Sequence, residues 1–192
     1  MSPSIEPTAL DRLLAAPAAL DLISAVAECP VDAETQAAIC ASPRLSRRIR
    51  ERLCGAFDLP ADLPAPRGPA ERLLACGPPE SVERALVLAG ALPFRCEVRR
   101  AVAREARGRV VELLSPVVHE ALLACELPDA PAPGAMPATA SALRCAGLGA
   151  LAAWRAGRTD PLSTLIGLRV PTGDAEPTDG CWIDRAAACL DA

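Results

Sequence analysis

Apolar residues recur along this chain at intervals of three and four, the spacing of one helix face, and prolines cut that pattern into segments. Thr8 followed by Asp11 has the form of a helix start with a carboxylate in its first turn. Leu10, Leu13, Leu14 and Leu20 follow near helical spacing, and Pro17 is expected to kink or break the run. Asp32 is placed to cap a short helix to Ala41, and Ser42-Pro43 reads as an N-cap with proline at the first helical position. The helix opened there carries Leu45, Ile49 and Leu53 as its apolar stripe, with Arg44, Arg47, Arg48, Arg50 and Arg52 mostly off it.

The middle of the chain predicts a helix from about Pro79 to Gly90 bearing Val82, Leu86 and Ala89, then a break at Pro93. One long helix should follow, carrying Phe94, Val98, Val102, Ala106, Val110 and Leu114 at every fourth position. Ser115-Pro116 restarts or kinks it, and Val118, Ala121, Leu122 and Cys125 continue the apolar face to Glu126. A further helix is expected from Thr139 or Ser141 to Arg155, ended by Gly157 and packed through Leu143, Leu148, Leu151 and Trp154. Asp160-Pro161 caps another, over Leu162 to Leu168. Leu168 to Pro171 reads as extended and Thr172 to Gly180 as a loop. Trp182 to Leu190 reads as a terminal helix docking through Trp182 and Ile183.

These elements predict an all-α helical bundle of about seven to nine helices with little or no β structure. The expected organisation is a single domain over 1–192. Its sub-segments are 1–57, 70–126 and 138–170, its proline-rich connectors are 58–69 and 127–137, and 171–192 forms a C-terminal tail. Both connectors should be exposed and semi-rigid.

Composition refines this picture. Hydrophobic residues make up 51% of the 192 residues and aromatics 2%, so the core must be built from Leu, Val, Ala and Cys. A chain of this length can bury about 70% of its unfolded surface. Every basic residue is Arg, with no Lys and no Asn, which reads as the mark of a GC-rich coding sequence. The net charge of −4 argues against recruitment by nucleic acid or an anionic membrane. The longest apolar runs, Ala85 to Phe94 and Cys145 to Trp154, are about half the ~20 residues that cross a bilayer. Met1 to Leu14 has no basic n-region, so no signal peptide and a cytoplasmic location are expected.

Residues that could do chemistry are few. The nine cysteines (Cys29, Cys40, Cys54, Cys76, Cys96, Cys125, Cys145, Cys181 and Cys189) include no C-x-x-C pair and are expected to be reduced, mostly buried small hydrophobes. The closest pair, Cys181 and Cys189, is too widely spaced for a typical zinc site. His119, the single histidine, has Ser115, Pro116, Leu122 and Leu123 as its helical neighbours, none a thiol or carboxylate. It is expected to be a partly exposed helix histidine. The alternative is a thiol- or metal-dependent enzyme that pairs His119 with Cys96 or Cys125. Gly147-Leu-Gly149 lies in a helical, alanine-rich stretch and reads as a place for close helix packing, not a phosphate loop. No catalytic, cofactor-binding or metal-binding residue is assigned, and the chain is expected not to be an enzyme.

The one sharp electrostatic feature is Arg95 to Arg109. On a continuous helix Arg100, Arg104 and Arg107 would share a face, with Glu97, Glu105 and Glu112 interspersed. That face suits an acidic protein partner; the bland alternative is a solvated helix surface. A helical nucleic-acid-binding regulator is a weaker alternative, because stacking aromatics are missing from the face.

The order of elements resembles the SctK/YscK-type accessory proteins of bacterial type III secretion. Four stretches carry the likeness: Leu14-Ala-Ala-Pro-Ala-Ala-Leu20; Leu45-Ser-Arg-Arg-Ile49 with Phe57-Asp-Leu59; Leu73 to Leu88 with Arg99-Arg100 and Val110 to Leu122; and Ala146-Gly-Leu to Trp154 followed by Leu165-x-x-Leu-Arg-Val-Pro171. The chain departs from the family pattern in its few aromatics, with Leu20 where an aromatic is expected, and in the additional stretch around Pro93. The resemblance implies a non-enzymatic cytoplasmic adaptor of the sorting platform beneath the injectisome. Such an adaptor links the cytosolic forkhead-associated-like domain of the inner-membrane ring protein to the C-ring-like pod protein. It reaches the membrane only through those partners and implies no cofactor and no nucleic acid. No family site residue transfers to a position of this chain.

Overall fold

A computed structural model of the chain describes residues 9–15, 19–60, 62–101, 104–126 and 134–191. Thr8, Pro17, Val102 and positions 127–133 of the second connector lie outside them. Among the described residues the structure is all-α, with no strand. The described residues form twelve α-helices, more than the seven to nine expected, because breaks fall inside stretches whose periodicity reads as continuous. The chain divides into two compact units, Met1–Pro78 with Thr159–Pro171 and Pro79–Arg158 with Thr172–Ala192. The division does not follow the proline connectors: the helix after Asp160, expected in the last sub-segment, belongs to the first unit.

The first unit holds α1 (Ala9–Ala15), α2 (Leu20–Ala27), α3 (Ala33–Ala41), α4 (Pro43–Ala56), α5 (Pro69–Cys76) and α11 (Pro161–Arg169). Short polar side chains start three of these helices. Asp32 Oδ1 accepts from Thr35 N at 2.8 Å, Ser42 Oγ from Leu45 N at 3.4 Å, and Asp160 Oδ1 from Ser163 N at 3.0 Å. Each satisfies a first-turn N–H that has no partner within its helix. Leu14, Ala19, Ile23, Ile39, Ile49 and Leu53 form a buried cluster, with Leu22, Val26 and Phe57 packed at its edge. Each fully buried Leu or Ile contributes about 1.5–3 kcal/mol.

The stripe of α4 is not the expected one. Leu45 is 44% exposed, whereas Ser46, Ile49 and Leu53 are buried. Polar contacts flank this face: Arg50 Nη2 donates to Ser46 Oγ within the helix at 3.2 Å, and Arg50 Nη1 pairs with Asp11 of α1 at 3.3 Å. Arg52 Nη1 donates to the Val26 carbonyl at the end of α2 at 2.7 Å. Buried Gln36 donates to the Leu14 carbonyl at 2.6 Å, tying α3 to α1. The first connector is not wholly exposed, since Leu59 is buried. Leu168 and Arg169 are helical rather than extended: α11 runs on to Arg169, whose buried guanidinium donates to the carbonyls of Leu74, at 2.6 Å, and Gly77.

The second unit holds α6 (Pro79–Ala91), a 3₁₀ turn (Leu92–Phe94), α7 (Arg95–Arg100), α8 (Arg104–Leu114), α9 (Pro116–Ala124), α10 (Ala140–Arg155) and α12 (Cys181–Asp191). α6 and α10 form its central pair. They cross at Gly90 and Gly147, where an added Cβ would overlap a backbone carbonyl of the facing helix. Arg144 of α10 grips Glu83 of α6 with two hydrogen bonds, 2.6 and 3.0 Å, and this pairing raises the Arg144 pKa. Thr139 caps α10 by accepting from Ala142 N at 3.2 Å.

The C-terminal segment packs along this pair. Thr178 N donates to the Gly149 carbonyl at 3.2 Å. α12 buries Ile183, Ala186 and Ala187, while Trp182 is only half-buried. The anchoring indole is instead Trp154 of α10, whose Nε1 donates to Asp184 at 3.0 Å and whose ring carries the Arg158 guanidinium 3.8 Å from its centre.

The long helix expected from Phe94 to Leu114 is interrupted. Pro93 sits in the 3₁₀ turn, and α7 ends at Ala101, which takes a non-helical ψ of 69°. α9 begins at Ser115-Pro116 as expected, but Ser115 adopts φ +68° and its side chain makes no cap hydrogen bond. The cysteines also differ from expectation. All nine are unbridged, but only Cys125 is buried, and Cys29, Cys40, Cys145 and Cys181 are exposed.

Candidate functional site

α7, α8 and α9 of the second unit enclose a cleft of about 280 Å³. Val98 and Ala101 from the end of α7, Val110 from α8 and Leu123 from α9 make its apolar wall. Its polar groups are Arg99, Arg107 and His119. Sequence places them there simply: Arg99 sits in the last turn of α7, Arg107 in the first turns of α8, and His119 one turn into α9. His119 N donates to the Ser115 carbonyl at 3.0 Å, the first backbone bond of α9.

Arg99 and Arg107 are exposed, while His119 is 5% exposed. The expected partly exposed histidine is therefore a buried one. It shares the buried face of α9 with Val118, Ala121 and Leu122, while Pro116, Val117, Glu120 and Ala124 form the exposed face. Arg99 Nη2 donates to the Leu123 carbonyl at 3.1 Å, near the end of α9. That bond uses one of the five N–H donors of the guanidinium. Two guanidiniums and an imidazole around one hollow suit a carboxylate or another oxyanion.

The expected site is regrouped. Arg100, Arg104 and Arg107 would share a face only on a continuous helix, and the break at Ala101 removes that premise. Arg100 is the exposed last residue of α7, Arg104 is the first residue of α8, and Arg107 lines the cleft. Arg99, one position off the i, i+4, i+7 series, lines the same cleft. Its signal was the Arg99-Arg100 pair itself, which ends a short helix.

The wall of the cleft, among the described residues, holds no cysteine and no carboxylate. Neither Cys96 nor Cys125, the two thiols that could pair with His119, is part of that wall. Among the described residues no group of three or more His, Cys, Asp or Glu side chains could hold a metal ion, and no helix is long and apolar enough to cross a membrane. Comparison with protein families, with characterised proteins and with solved structures gives no match.

Proposed function

We propose that this chain is a non-enzymatic adaptor of the type III secretion sorting platform. On this reading it works at the cytosolic face of the inner membrane and joins the forkhead-associated-like domain of the ring protein to the C-ring-like pod protein. The order of sequence elements suggests the family. The observation that carries a docking role is the pair of exposed guanidiniums, Arg99 and Arg107, flanking a cleft whose inner polar group is His119. An acidic side chain or terminal carboxylate of a partner would enter between them. Rim charges of this kind act mainly on association rate and specificity, and their effect weakens with salt.

The test is co-purification of the C-terminally tagged protein from its native host, compared with the Arg99→Glu/Arg107→Glu double variant. The wild type is expected to bring down the ring and pod proteins. The double variant should lose at least one of them, with an unchanged circular dichroism spectrum, because both side chains are exposed. Recovery of neither protein by the wild type would remove the platform assignment. Full recovery of both by the double variant would remove the cleft from the interface.

A further inference from the structure

Three polar side chains from three consecutive helices line one hollow of the second unit: Arg99 from α7, Arg107 from α8 and His119 from α9. Arg99 and His119 are tied together through Leu123. The Arg99 guanidinium donates to the Leu123 carbonyl at 3.1 Å, and Leu123 stands four residues after His119 on the same face of α9. Among the described residues no protein group hydrogen-bonds the His119 imidazole, although its residue is 5% exposed, and none pairs with the Arg107 guanidinium. A buried polar ring without a partner is costly unless something else satisfies it.

We propose that this cleft binds a phosphoryl group, as free phosphate or as a small phosphate monoester, held by Arg99, Arg107 and His119. Charge supports this choice. A phosphate monoester carries about −1.5 to −2 at neutral pH, which two guanidiniums balance, and no carboxylate among the described residues of the wall opposes it. Donor supply supports it too. Four N–H groups of Arg99 remain after its bond to Leu123, Arg107 offers five, and an imidazole has an N–H in either protonation state. Donors arriving from three helices suit the spread oxygens of a tetrahedral group better than the two coplanar oxygens of a carboxylate. At about 280 Å³ the cleft suits a phosphate with a short substituent rather than a nucleotide.

A neighbouring hollow of about 360 Å³ gives the contrast. It shares Val98 and Val110 with the cleft, but its charged groups are Glu97 and Arg109, which leaves no excess of positive charge for an anion. The proposal rests on the cleft as an anion site and not on the platform assignment. Phosphate binding therefore stands or falls on the isolated protein, whatever co-purification brings down.

The experiment titrates inorganic phosphate against chloride into the isotope-labelled full-length protein, at fixed pH and ionic strength. His119 is the single histidine of the chain, so its imidazole gives one self-assigned proton–carbon signal. That signal should move saturably, with half-saturation at about 1 mM. Methyl phosphate, titrated separately, distinguishes the two sources: binding as tight as that of phosphate assigns the site to monoesters, and weaker binding assigns it to the free ion. Acetate, the same test for a carboxylate, should bind at least about tenfold more weakly than phosphate. Arg107→Gln removes a charge without removing a described contact, so it should keep the circular dichroism spectrum and weaken phosphate binding about tenfold. A drift of the His119 signal that never saturates would overturn the proposal. So would acetate binding as tight as phosphate, or an unchanged phosphate curve in Arg107→Gln.

Discussion

Gly147 of α10 lies against the carbonyl of Leu86 in α6, so closely that a Cβ there would overlap it, and Gly90 of α6 stands in the same relation to Leu143 of α10. The two glycines are reciprocal, each making room for the other helix's backbone. Gly147→Ala should therefore force apart the central helix pair of the second unit, at a cost of about 3 kcal/mol. Gly55→Ala is the matched control: it lies inside α4 with nothing within 4 Å of the new methyl. It should stabilise by about 0.5–1 kcal/mol through the unfolded chain. Urea denaturation of both variants measures the difference, and equal effects would contradict the close crossing.

Arg169 explains a sequence feature that looked like a bare ending. In Leu168-Arg-Val-Pro171 the guanidinium turns inward and holds two carbonyls at the end of α5, those of Leu74 and Gly77. Arg169→Met leaves those carbonyls without their charged donor and should cost about 3 kcal/mol. Arg169→Lys should recover less than half of that, because a point ammonium cannot span both acceptors as a planar fork does. Complete rescue by lysine in thermal melts would show that charge alone matters.

Much of the fold is legible where local chemistry decides it. Asp32, Ser42, Thr139 and Asp160 each precede a helix and cap it, since a short side-chain oxygen satisfies a first-turn N–H wherever it occurs. What sequence cannot supply is decided by tertiary contact. Nothing about Arg100-Ala-Val forbids a helix, and Ala101 is a strong helix former, yet the chain breaks there because propensity is a weak force beside packing. That break puts Arg100 and Arg107 on different helices, and Arg99 lines the cleft with Arg107. Leu45 misleads in the same way, since the buried face of α4 runs through Ser46, Ile49 and Leu53 and leaves Leu45 exposed.

Ser115 joins α8 to α9 with φ +68° and ψ 154°, a conformation natural to glycine and costly for any residue with a Cβ. Its hydroxyl makes no cap hydrogen bond, so little is lost by removing it. Ser115→Gly should raise stability by about 1 kcal/mol while leaving the His119 backbone bond in place. A fall in the denaturation midpoint would mean that the serine side chain supports the turn in a way its geometry does not suggest.

Asp32 gives the acid response of the first unit. Its carboxylate accepts from Thr35, by the backbone N–H first and the hydroxyl second, and this holds its pKa below the ordinary aspartate value. A depressed folded-state pKa means that the stabilisation is fully present above the unfolded value, about 3.9, and disappears as pH falls through the folded value. Asp32→Ala removes the cap at every pH. The stability gap between wild type and Asp32→Ala should thus be constant from pH 7 to about 5 and narrow below about 4. Asp32→Asn retains a neutral acceptor, so its gap from Asp32→Ala should stay flat across the same range. Urea midpoints at a series of pH values measure all three proteins, and a gap that widened on acidification would reverse the sign assigned to the Asp32–Thr35 contact.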